Sequence, residues 1–126
     1  MKNVFVVVSL IFMSAFNASA ATGPWVEVAN EVVLADNTTF RDIRLKNNKT
    51  EFEEVRVQIL TTGARLQRTE IVGDNMMSLP AWRLEGEYTL GVARYDLFQK
   101  SKVRSVRMYI TTMQPTKPVR LTIHMR

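Results

Sequence analysis

The stretch Val119-Arg120-Leu121-Thr122-Ile123-His124-Met125-Arg126 alternates apolar and polar residues without exception. Successive side chains of an extended strand point to opposite faces, so this stretch buries one face and wets the other. A helix would scatter the same apolar residues around its axis. Val55-Arg56-Val57-Gln58-Ile59 and Val106-Arg107-Met108-Tyr109-Ile110-Thr111 repeat the pattern. No window carries a sustained i, i+3, i+4, i+7 apolar stripe, so helix should be scarce.

Trp25 to Leu34 and Phe40 to Leu45 read as extended, separated by the turn-rich Ala35-Asp36-Asn37-Thr38. Glu87 to Leu97 and Trp82-Arg83-Leu84 are weaker strand segments. Thr61-Thr62-Gly63-Ala64 reads as a hairpin turn with positive φ at Gly63, returning through Arg65 to Ile71. Pro115 and Pro118 bracket the last loop, where a missing N–H does least harm. The expectation is an all-β chain: a single antiparallel β-sandwich, jelly-roll-like or Ig-like, of about seven or eight short strands.

Upstream of these strands, Met1 to Ala20 has the three parts of a secretory signal peptide. Lys2 is the charged region, Val4 to Phe16 the apolar run, and Ala18-Ser19-Ala20 the small residues of a cleavage site. The run is too short to span a bilayer, which takes about 20 apolar residues. Residues 1–20 are expected to be removed, leaving 21–126 as one β-sandwich domain with no transmembrane segment, periplasmic or secreted. Asn37-Thr38-Thr39 and Asn48-Lys49-Thr50 match the N-glycosylation pattern, which a bacterial origin would make irrelevant.

Composition removes several chemistries. The 126 residues include no Cys and one His. That excludes disulfides, thiol nucleophiles, thiolate zinc sites and multi-histidine metal centres. Ser78, Ser101 and Ser105 lack a nucleophile-elbow frame, and the glycines form no phosphate-cradling loop. Asp36-Asn37 to Asp42 and Asp74-Asn75 lack calcium-loop spacing and read as turn residues. Glu51-Phe52-Glu53-Glu54 reads as solvated carboxylates rather than an acid–base pair. Neither a cofactor, a metal nor a catalytic set is expected. Met76-Met77 beside Leu79-Pro80-Ala81-Trp82 is expected to fill the core.

From Trp25 onward the layout resembles a family of small secreted bacterial β-sandwich domains of uncharacterised function. The likeness is carried by Trp25-Val26, Phe40-Arg41-Asp42-Ile43-Arg44-Leu45, Val55-Arg56-Val57 leading to Gly63, Gly86, Arg94-Tyr95-Asp96-Leu97, and Val103-Arg104-Ser105-Val106 with the closing strand. The resemblance implies the fold and no activity. It would place a Pro-Gly turn where Leu97-Phe98-Gln99-Lys100 stands.

Charge points to a surface. Lys and Arg number 17 against 12 Asp and Glu, a formal charge of +5. From Leu97 onward Lys100, Lys102, Arg104, Arg107, Lys117, Arg120 and Arg126 meet no acid. If the last two strands pair through the Thr111–Lys117 loop, alternation puts Arg107, Tyr109, Arg120, His124 and Arg126 on one solvent face. Guanidinium groups bind phosphate and carboxylate bidentately, and Tyr adds a stacking surface. The expected partner is an anionic envelope component or an acidic protein rather than nucleic acid. A competing reading gives these charges to protection of sheet edges. A carbohydrate-binding module would instead use exposed aromatics such as Trp25, Trp82 or Tyr88. His124, among arginines, should be a poor acid. Arg104 breaks the alternation, which a bulge at Arg104-Ser105 or a pairing with Asp96 would resolve.

Overall fold

A computed structural model describes residues 23–33, 38–46, 49–114 and 116–126. Residues 1–20, expected to be a signal peptide, both Asn residues of the glycosylation patterns and Pro115 lie outside the described residues. The described chain is all-β. Its strands are β1 (Val26–Val33), β2 (Thr39–Arg44), β3 (Glu51–Ile59), β4 (Ala64–Gly73), β5 (Ser78–Pro80), β6 (Gly86–Tyr88), β7 (Ala93–Thr112) and β8 (Val119–Met125). One turn of 3₁₀ helix, Trp82–Leu84, stands where a weak strand was expected. No helix among the described residues is long and apolar enough to cross a membrane.

The eight strands form one antiparallel sheet that does not close, ordered β1-β8-β3-β7-β4-β5, with β2 also on β7 and β6 also on β4. It doubles over at β7 into a sandwich-like arrangement. The first layer is β1, β8, β3 and the first half of β7; the second is β2, the second half of β7, β4, β5 and β6. The alternating residues do what parity demands: Val55, Val57 and Ile59, Val106, Met108 and Ile110, and Val119, Leu121, Ile123 and Met125 are all buried. With Leu66, Ile71 and Ile43 they make one shared core between the layers.

The 20-residue β7 joins what were expected to be two strands. Leu97-Phe98-Gln99-Lys100 is continuous strand, not a turn. The layer change falls between Lys102, opposite Glu51 of β3, and Val103, opposite Gly73 of β4. A register slip follows at once, since Val72 faces Ser105, leaving Arg104 as the extra residue. That bulge resolves the broken alternation, and Val103 and Val106 are both buried. Asp96 accepts from the backbone N–H of Arg83 at 3.2 Å and of Leu97 at 2.8 Å, tying β7 to the 3₁₀ turn.

Two expected pairings are corrected. β3 and β4 lie in different layers, so residues 60–63 arch across the sandwich instead of turning a hairpin. Gly63 has no positive φ; its requirement is space, since a Cβ would stand 3.1 Å from the Tyr88 carbonyl oxygen. Likewise β8 pairs with β1 and β3 rather than with the second half of β7, so the connection before it is a second arch. The arches are locked together. The Thr61 hydroxyl donates to the Pro118 carbonyl at 2.9 Å and accepts from the Arg120 N–H at 2.8 Å, while the Thr62 hydroxyl donates to Gln114 Oε1 at 3.1 Å.

Candidate functional site

The second arch divides the five expected site residues. Arg107 and Tyr109 stand on the outer face of the second layer; Arg120, His124 and Arg126 belong to β8 and its end, in the first layer. The single basic face expected from chain order does not form, because the strands presumed adjacent lie in opposite layers. Arg107 faces Asp42 of β2 and Glu70 of β4 in register, and its Nε is 3.9 Å from Asp42 Oδ1. Within the first layer, six residues of extended strand separate Arg120 from Arg126 by about 20 Å.

Around His124 and Arg126 the first layer assembles something the alternation alone did not show. Glu27 of β1, His124 of β8, Arg56 of β3 and Tyr95 of β7 form one cross-strand row, each in register with the next. Trp25, just before β1, lies across this row. The guanidinium carbons of Arg126 and Arg56 stand 4.3 Å and 4.8 Å from the centre of its ring, and the Tyr95 ring is 5.8 Å away, tilted by 54°. Arg126 Nε also donates to Glu54 Oε1 at 2.7 Å, and both side chains are largely covered.

Stacking on an indole uses the face of a guanidinium and leaves its N–H edge directed elsewhere. For Arg126 that edge meets Glu54. Arg56 makes no ion pair with a carboxylate among the described residues. Its Nε is buried without a hydrogen-bond partner, as is Nδ1 of His124. Burial, with Arg56 acting in the same direction and Glu27 against it, holds the His124 pKa below its ordinary value. The imidazole is therefore a neutral neighbour of the Arg56 guanidinium, in keeping with its expected weakness as an acid.

Sequence reasoning missed Arg56 as a site residue. Its outward parity was legible, but its place beside His124 depends on β8 inserting between β1 and β3. Trp25 had been weighed as a sugar-stacking aromatic, and here it is flanked by cations. Tyr88 cannot serve a saccharide, because it is buried and its hydroxyl donates to the Leu84 carbonyl at 2.5 Å. Trp82 is 74% exposed.

The other candidates resolve plainly. Met76, Met77 and Leu79 do not fill the core but lie exposed, and the segment buries Ala81 and Leu84 instead. Asn75 Oδ1 accepts from the Met77 N–H at 3.1 Å, the turn role expected of it. Lys100 and Lys102 border an open cleft of about 520 Å³ together with Glu51 and Asp74, so acids offset them there. Lys46 pairs with Glu27 at 3.2 Å. No group of three or more His, Asp or Glu side chains among the described residues is arranged to hold a metal. No family model, curated protein or solved structure matches the chain.

Proposed function

We propose that this chain is an exported, non-enzymatic binding module of the bacterial envelope, and that it takes an anionic partner on the outer face of the first layer. One observation carries the reading: two guanidinium groups converge on the Trp25 ring, and only one of them, Arg126, has a carboxylate partner among the described residues. Trp25 restricts Arg56 in one plane beside the sheet, so ordering it on a ligand costs less rotamer freedom than ordering a free surface arginine. The ligand group is a phosphate or carboxylate, presented by lipid headgroups or by an acidic wall polymer. Without residues 1–20, whose one charge is Lys2, the net charge is +4 and favours approach of either.

The test is binding of the exported chain to anionic vesicles, neutral vesicles and cell-wall fractions across a salt titration. Arg56→Glu is compared with Arg107→Gln, which changes the opposite layer. Saturable binding to one anionic material, weakened by salt, lost in Arg56→Glu and kept in Arg107→Gln, supports the proposal. The vesicle and wall arms identify the source of the anion. Equal binding by both variants, or binding to none of the materials, rejects it.

A further inference from the structure

We infer that the outer face of the second layer is a separate site, for a neutral saccharide. Phe40 of β2 and Tyr109 of β7 are register partners whose ring centres lie 5.2 Å apart at 57°. Phe40 is half exposed, so this ring pair is presented to solvent rather than to the core. Beside Tyr109 opens a cleft of about 430 Å³ lined by Thr38, Gln67, Arg68, Glu85 and Tyr109.

Every lining side chain carries a hydrogen-bonding group, and three of them are planar with two polar atoms at the tip. An amide, a guanidinium and a carboxylate can each span two adjacent hydroxyls, as only a polyol offers them. The aromatic pair supplies a flat apolar surface for the C–H face of a sugar ring. Charge argues against an ion: Arg68 and Glu85 bring one charge of each sign to the cleft, and Arg107 is matched by Asp42 alongside.

The backbone shows that this arrangement is imposed. Gln67 faces Tyr109 and Glu70 faces Arg107, so Arg68 and Thr69 together oppose Met108 alone. At this bulge Arg68 adopts a φ of 51°, a left-handed conformation that disfavours any side chain. The effect is to set its guanidinium carbon 5.9 Å from the centre of the Tyr109 ring, at the cleft. Glu85 is fixed from the other side, its Oε2 accepting the Thr69 N–H at 3.3 Å. Bulges that re-aim one side chain, and strain held in a non-glycine residue, gather at binding sites.

The experiment titrates the exported chain, ¹⁵N-labelled, with the trimer of N-acetylglucosamine, cellotriose and maltotriose at low and high salt. At least one should shift amide signals at Gln67, Arg68 and Glu85 saturably and equally at both salt concentrations. Arg68→Gly, which relieves the backbone and so keeps the fold, and Phe40→Ala should each weaken that binding about tenfold or more. Arg56→Glu should leave it unchanged, which separates this site from the anionic one. No saturable shift in the cleft with any of the three sugars overturns the inference. So do shifts confined to the Trp25 face, or equal binding by Arg68→Gly and Phe40→Ala.

Discussion

Arg94 lies across Tyr88, its guanidinium carbon 5.1 Å from the ring centre, and its Nη2 donates to the Glu87 carbonyl at 2.9 Å. Gly86 completes the contact. Its φ is 123°, and a Cβ there would stand 3.0 Å from Arg94 Nη2. Gly86→Ala should therefore cost about 1–3 kcal/mol of stability, read as a lower urea midpoint. Tyr88→Phe should cost about 1 kcal/mol, because it leaves the Leu84 carbonyl without its donor. An unchanged midpoint in Gly86→Ala would mean that the start of β6 relaxes around the new methyl group.

The lock between the two arches makes a second prediction. Thr61→Val removes a donor to Pro118 and an acceptor for Arg120 while preserving shape. Stability should fall by about 1–2 kcal/mol, with Thr61→Ser close to the parent protein. If valine and serine behave alike in chemical denaturation, the hydroxyl does not hold the arches.

At Arg68 the sign is reversed. Replacing a left-handed non-glycine residue by Gly relieves about 1 kcal/mol of backbone strain, part of which the greater freedom of the unfolded chain takes back. Arg68→Gly should melt at or slightly above the parent temperature, whereas Arg68→Ala keeps the strain and gains nothing. A Gly variant that melts clearly lower would show that Arg68 contributes more through its side chain than its backbone conformation costs.

Alternation made the strands and their buried sides legible. Met108 and Ile110, or Leu121 and Ile123, point inward as their positions require. Adjacency was not legible. A short link containing Gly63 suits a hairpin as well as an arch, because local turn chemistry does not record which layer receives the next strand. That ambiguity split Arg107 and Tyr109 from His124 and Arg126, and it hid Arg56. Phe98 gave no sign of a break because none exists: it is half-buried against the core in mid-strand.

The protein's one histidine offers a pH test. Its native pKa is lowered from the ordinary 6.5, so the unfolded chain takes up the proton more readily than the folded one. The stability that His124 contributes is full above pH 6.5 and is lost as the pH falls from there through the lower native pKa. His124→Gln should flatten that part of the stability–pH profile. Direct NMR titration of the imidazole should give a midpoint below 6.5, and a midpoint above it would refute the assigned surroundings.

Although β8 follows all its partners in the chain, it is an interior strand, seated between β1 and β3. Emerging from its amino end, the polypeptide leaves a slot one strand wide, and the ladders on either side stay open until β8 arrives. The second layer needs nothing from β8, whereas the first cannot join β1 to β3 without it. Because β8 carries a ladder on each side, its loss should be far more damaging than loss of the outer strand β5.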